Sequence, residues 1–381
     1  MTISFPPPPT NTIDWANVGF KSIDTRLRRE VNGHIESHYT KSSGKWSKPR
    51  FVRSPYLSLH GMAPGLNYGQ QCYEGMKAFR GPGDDTVSIF RPSKNAARMQ
   101  RSAECISIPP VPTEHFLQCV RLAVGLNAEF VPPHETGAAM YVRPILYGSS
   151  AQLGLNPPEE YTFLVYVLPT GVYHGVHPVK ALILDDFDRA APHGTGSYKV
   201  GGNYAPVLRY SEKARNEGYG ITLHLDSQTR RVIDEFSTSA FIGALKNGDD
   251  VELVVPDSDN VIESVTADSI CQVARDQGWK VTKRPITYEE LPKFEEVMAA
   301  GTAAALVPIK SITRGKDEFK YRDASDESGP IVTTLLTKLK GIQTGKIDDK
   351  HKWLDTVASP QEGTFGREDE GTNVSIIHVR E

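Results

Sequence analysis

Between residues 35 and 59 apolar positions come in short stretches separated by glycine and proline, with Trp46 and Tyr56 able to pack. That pattern predicts strands and turns. Val87–Phe90 predicts another strand, after which Pro92 opens a helix with Ala96, Met99 and Ala103 on one stripe and Arg98 beside it. A second helix starts at the cap Thr113, where Phe116, Val120 and Val124 recur at four-residue spacing, and ends before Pro132. Residues 140–146 and 162–168 are β-rich and apolar on both faces, as buried strands are.

Residues 169–178 carry Gly and Pro interruptions and two histidines, His174 and His177, and predict a linker between two domains. With no other ligand type nearby, these read as loop histidines rather than metal ligands. Beyond the linker, strands are expected at 179–185, 221–225, 231–235, 240–245 and 251–255, with a turn at 226–229. Helices are expected at 269–277 and 289–300. A closing helix over 331–342 places Ile331, Leu335, Leu339 and Ile342 on one face. Residues 1 to about 20 hold the run Pro6 to Pro9 and few apolar anchors, which predicts a mobile arm or one packed on a neighbour.

Composition narrows the classes that these elements can belong to. A chain of 381 residues exceeds the size at which one core stops growing, so two domains are expected. A net charge of −3 without a long basic run argues against nucleic acid as a partner. Cys72, Cys105, Cys119 and Cys271 lie far apart, which suggests neither a disulfide framework nor a zinc site. No apolar run approaches a membrane span, and no basic residue precedes Lys21 as a leader would need. A cytoplasmic location is the default expectation; Asn373-Val374-Ser375 matches a glycosylation acceptor only formally.

The chemistry centres on Lys199, set among Gly194, Gly196, Gly201 and Gly202. Glycines let the backbone take unusual dihedrals and approach a bulky planar ligand. A lysine so placed is suited to attack a carbonyl, which needs the neutral amine that an apolar or cation-rich pocket favours. Neither the three-glycine dinucleotide pattern nor the Gly-Lys-Ser/Thr phosphate loop is present.

The run Lys199-Val200-Gly201-Gly202-Asn203-Tyr204-Ala205-Pro206 closely resembles the lysine segment of the branched-chain amino acid aminotransferases, which are fold type IV pyridoxal phosphate enzymes. Four further blocks resemble the same family in the same order: Tyr73-Glu74-Gly75-Met76-Lys77-Ala78-Phe79-Arg80; Phe90-Arg91-Pro92 leading to Arg98-Met99; Tyr141-Val142-Arg143-Pro144; and Gly301-Thr302-Ala303-Ala304. The resemblance spans roughly residues 30 to 357. It implies an α/β (α+β) fold of two domains: residues 1–168 with the N-terminal arm, an interdomain loop over 169–178, and residues 179–381 carrying the lysine.

The resemblance also implies a site. The cofactor would be pyridoxal 5′-phosphate, held by Lys199 as a Schiff base, with the lysine afterwards moving the substrate α-proton. Glu235 falls at the position whose carboxylate contacts the pyridine nitrogen, with Asp234 as its neighbour and competitor on the opposite strand face. Tyr204 matches the tyrosine on the ring O3′. Arg98, the amides of Val265 and Thr266 at a helix start, and the Thr302 hydroxyl would take the phosphate. The family usually has arginine where this chain has Ala267, which weakens the expected phosphate field. The Thr302-Ala303 turn and Tyr141 would receive the substrate α-carboxylate, and Arg143 the side-chain carboxylate of glutamate. Tyr68 and Tyr73 would line the side-chain pocket, although the family more often has phenylalanine at Tyr73. Loop contacts from residues 171–174 and a homodimer are also implied.

The expected reaction is amino transfer between leucine, isoleucine or valine and 2-oxoglutarate. A fold type IV enzyme acting on D-amino acids, (R)-amines or specialised metabolites, and a non-catalytic pyridoxal phosphate binding protein, are the alternatives.

Overall fold

The computed structural model describes residues 31–171, 177–321 and 327–367. The proline run, His174 and the glycosylation match lie outside the described residues.

Two sheets organise the chain among the described residues. The first is ten-stranded, and its longest pairing joins Ala139–Gly148 antiparallel to Glu160–Thr170. His34–Thr40 continues the sheet on one side and Met76–Arg80 and Val87–Phe90 on the other. Helices Pro92–Cys105 and Thr113–Leu126 cover one face. Met99, Phe116, Val120 and Val124 meet the strand residues Met140, Val142 and Leu146 in one buried cluster. Successive strand residues face opposite ways. With Met140 and Val142 turned to the helices, Tyr141 and Arg143 are delivered to the other face, where the strand is only half-buried.

The second sheet is nine-stranded. Val179–Ile183 pairs parallel with both Ile221–Leu225 and Ala305–Arg314. Glu296–Gly301 lies centrally, between Ala240–Asn247 and Ala305–Arg314. Helices Val265–Asp276 and Pro330–Gln343 pack against each other and on this sheet. Glu296 ties the closing helix to the sheet: its carboxylate accepts from the amides of Ile331 and Val332, each at 3.0 Å. Those amides belong to a helix start and have no partner within the helix.

The structure differs from the sequence reading at several elements. Residues 289–300 are not a helix but a short 3-10 turn, Tyr288–Lys293, followed by the strand Glu296–Gly301. Pro292 cannot donate the next helical hydrogen bond, and every residue of 296–300 is buried, which suits a central strand. The strand Ala305–Arg314 and the helix Leu208–Asn216 had no counterpart in the sequence reading. Nor do the sheets follow the chain in two unbroken halves. Leu354–Thr356 and Gly366–Arg367 return to the first sheet, pairing with Val87–Phe90 and Arg50–Val52.

Candidate active site

The two sheets meet where the glycine-rich run, which joins Val179–Ile183 to Ile221–Leu225 of the second sheet, touches the first through a bridge between Val200 and Cys72. Lys199 is anchored to the first unit through its backbone: its amide donates to Ser102 Oγ at 2.9 Å, and its carbonyl accepts from the Tyr73 amide at 3.1 Å. Gly201 sits so close to the Gln71 side chain that a Cβ there would collide with it. The Lys199 ammonium reaches the Tyr204 hydroxyl at 3.1 Å and lies 4.8 Å from the centroid of the Tyr73 ring.

Lys199, Tyr204, Glu235, Arg98, Val265 and Thr302 line one cavity of about 410 Å³. Glu235 and Asp234 are both buried but diverge as alternate strand residues must. Asp234 is held away from the cavity by Ser258 Oγ at 2.7 Å and Asn260 Nδ2 at 3.4 Å, which leaves Glu235 on the lining. Burial pushes the Glu235 carboxyl up to about 7, while the Arg189 guanidinium, 2.5 Å away, works against that rise.

At the other end of the cavity Arg98 is gripped by Glu74, whose two carboxylate oxygens each accept a hydrogen bond at 2.7 Å. The remaining Arg98 nitrogen donates to the Glu263 carbonyl at 2.7 Å. Burial raises the pKa of Glu74, but the charge of Arg98 outweighs it and holds the carboxyl below the usual range. Val265 opens the helix Val265–Asp276, capped by Ser264, whose hydroxyl accepts from the Ala267 amide at 3.1 Å. The positive end of a helix dipole therefore faces the same end of the cavity as Arg98.

Tyr73, Tyr141 and Arg143 form a second group beside Lys199. The Arg143 guanidinium lies 4.8 Å from the Tyr73 ring centroid and donates to the Tyr141 hydroxyl at 2.9 Å. Its buried Nε has no hydrogen-bond partner. A buried donor left unpaired is costly and marks a place where a ligand oxygen fits. Burial pushes the Tyr73 hydroxyl strongly up, and the neighbouring Tyr204, whose ring meets it edge to face at 5.2 Å, adds to the rise. Burial opposes ionisation of Tyr204 too, but Lys199 and Arg189 together bring its pKa below the ordinary value.

Two of the expected residues, Thr266 and Ala303, line an adjoining cavity that shares Val265, Gly301 and Thr302 with the first. Tyr68 stands apart: it is half exposed, and its hydroxyl donates to the Leu153 carbonyl rather than lining either cavity. Arg189 and Glu74 were not assigned from the sequence. The signal for Arg189 was a single basic residue closing the acidic run Asp185-Asp186-Phe187-Asp188. Glu74 lay unassigned inside a quoted block.

A lysine, a buried acid and an anion-receiving helix start around one cavity between two mixed sheets define a fold type IV pyridoxal phosphate enzyme. The family described as Amino-transferase class IV matches residues 71–312. The chain belongs to the class IV aminotransferases. It is 51% identical to the aminotransferase poxL of Penicillium oxalicum, over 93% of this chain and 96% of that protein. To the branched-chain amino acid aminotransferase gloG of Glarea lozoyensis it is 48% identical, over 94% of this chain and 100% of that protein. The branched-chain amino acid aminotransferase of Escherichia coli superposes with a TM-score of 0.71 at 23% identity, covering 86% of this chain and 100% of that one. The holo form of the Thermobaculum terrenum branched-chain aminotransferase, which carries the cofactor, gives 0.70 at 19% identity over 86% and 100%.

Proposed function

We propose that this aminotransferase uses pyridoxal 5′-phosphate to exchange the amino group between a branched-chain L-amino acid and 2-oxoglutarate. The donor set suits the cofactor at each end: Arg98 and the Val265 and Thr266 amides for the phosphate, with the Thr302 hydroxyl turning to it from the Gly75 carbonyl, Glu235 and Tyr204 for the ring, and Lys199 for the aldehyde carbon. Once bound, the cofactor supplies an electron sink for the substrate α-carbon.

The chain's own residues do the rest. Glu235, drawn toward its anionic form by Arg189, favours a protonated ring nitrogen. Lys199 stands 3.1 Å from the Tyr204 hydroxyl, placed to take the proton from the substrate α-carbon and return it two atoms further along, beyond the amine nitrogen. Thr302 donates its hydroxyl to the Gly75 carbonyl at 3.3 Å, which fixes the turn that offers amides, at Thr302 and Ala303, to the substrate carboxylate alongside Tyr141.

Arg143 carries the choice of substrates. Its unpaired Nε awaits a carboxylate, while the faces of Tyr73 and Tyr141 present apolar surface to a branched side chain. The Tyr73 ring packs edge to face on Tyr204 with centroids 5.2 Å apart, an aromatic wall that supports aliphatic donors. Arg143→Ala should depress the half-reaction with glutamate at least tenfold more than that with leucine; equal losses in both would refute the dual pocket. A coupled assay comparing L-leucine, D-alanine and an (R)-amine separates the branched-chain reading from a specialised-metabolite one. Failure of leucine to shift the cofactor's visible absorption would favour a binding protein without turnover.

The working unit is proposed to be a homodimer. Tyr56 and Leu155, each 83% exposed, lie with Leu57, Met62, Leu66, Tyr68 and Leu153 on neighbouring segments, joined by the hydrogen bond of the Gln152 amide to the Met62 carbonyl. Exposed apolar side chains gathered on neighbouring segments in this way suit a docking surface. Tyr68, absent from its own chain's cavity, would then complete the partner's site. Four free thiols accord with the reducing cytosol, where we place the protein.

A further inference from the structure

Behind the Thr302-Ala303 turn, on the side away from Lys199, lies a second cavity of about 740 Å³ up to its mouth. Lys77 and Lys340 both line it, and among the described residues no carboxylate does. Lys77 comes from Met76–Arg80 and Lys340 from the last turn of Pro330–Gln343, so opposite units of the molecule each contribute one ammonium. Burial, and then the charge of Lys340 across the shared cavity, pull Lys77 down to about 8. Beside them stand Gln343 and Thr344, and the floor is apolar, with Met76, Phe79 and Phe90.

Two like charges facing one partly desolvated space without a counter-charge is an unfavourable arrangement, relieved when an anion enters. The helix start at Val265 and Thr266 borders the same cavity and adds a positive potential. We propose that this cavity is a second binding site, for a small organic carboxylate held between Lys77 and Lys340 with its apolar part on Phe79 and Phe90. This goes beyond the catalytic reading, since the site lies outside the cavity that holds Lys199.

A ligand there acts on catalysis through one contact. The Lys77 ammonium donates to the Ala303 carbonyl at 2.6 Å, so it holds from behind the turn that the substrate carboxylate meets in front. A carboxylate on Lys77 competes for that ammonium and loosens its hold on the turn. The site is therefore regulatory in character, and its occupant need not be a substrate.

The test uses the cofactor-loaded enzyme and 4,4,4-trifluorobutanoate, followed by fluorine NMR. The wild type should show two bound environments, and in Lys340→Glu one of them should weaken at least tenfold while the other persists. The surviving environment reports that the variant is folded. A single environment in the wild type, or two that Lys340→Glu leaves unchanged, would overturn the proposal. Inorganic phosphate is the second arm. If it displaces the probe from the Lys340-dependent environment as effectively as unlabelled butanoate does, the pocket takes inorganic ions and the organic assignment fails; displacement by butanoate alone supports it.

Discussion

Arg189→Gln isolates the electrostatic element on which the cofactor ring depends. Glu235 is buried, and burial alone would keep it protonated at neutral pH; its pKa stands at about 7 with Arg189 bonded to it at 2.5 Å. With charge centres about 4 Å apart and an effective dielectric constant of about 20, the pair is worth about 4 kcal/mol. That corresponds to roughly three pKa units at 1.36 kcal/mol each. Water entering the space left by the shorter side chain, and the ring nitrogen as a second cation in the loaded enzyme, reduce the shift to roughly one to two units. The variant should therefore show the acid limb of its kcat profile moved upward by that amount. At pH 7 activity should fall by roughly five- to fiftyfold, and it should recover above pH 9. Arg189→Lys should restore most of the wild-type profile, because it returns the charge. The assay is kcat against pH from 5.5 to 9.5 under saturating donor and acceptor. A loss that is equal at every pH, or a profile that stays in place, would refute the coupling of Arg189 to Glu235. The same raised pKa has a consequence for folding. A carboxyl whose value rises from 4.5 to about 7 leaves stability untouched below the lower value, and stability then declines as pH climbs through the upper one. The apoprotein should melt at a lower temperature at pH 8 than at pH 5.5 by this contribution.

Other perturbations test the supporting contacts. Glu74→Gln leaves Arg98 with one strong acceptor in place of a matched carboxylate, which should cost the apoprotein roughly 2–4 kcal/mol. Saturating cofactor, whose phosphate would meet the freed charge, should recover more of the melting temperature in this variant than in the wild type. Calorimetry of both forms checks it, and an unchanged apoprotein Tm would contradict it. Glu296→Gln sets a side-chain amide against one of the helix amides at Ile331 and Val332, and should lower stability by roughly 1–3 kcal/mol without changing KM for leucine. Denaturant melts and steady-state kinetics together separate this structural role from a catalytic one.

The parts of the fold that were legible in the sequence are those whose pattern is local. Met99, Phe116, Val120 and Val124 sit in one core because their spacing matches the helix period. The segment around Lys199 was readable because its glycines mark backbone that must run close to another group, and Gly201 does lie against Gln71. What the sequence hid depends on distant partners. Glu-Val-Met-Ala-Ala, over residues 296–300, has the composition of a helix, and only its flanking strands at 240–247 and 305–314 make it a central strand. Leu208–Asn216 buries Ala214 alone, so it shows no apolar stripe to read. The partnership of Arg189 with Glu235 joins the loop after Val179–Ile183 to the strand Ile233–Phe236 and has no spacing rule. Tyr68 illustrates the converse: its place in the chain is close to Tyr73, yet it ends the short helix Pro64–Asn67, which carries it out to Leu153.

The central claim is that Lys199 is the residue that binds the cofactor covalently. Borohydride reduction of the cofactor-loaded protein followed by digestion and mass spectrometry tests it at one atom. The account predicts the phosphopyridoxyl group on the peptide containing Lys199, and none after Lys199→Ala. The label on another lysine, such as Lys77, or undiminished labelling of the alanine variant, would contradict it.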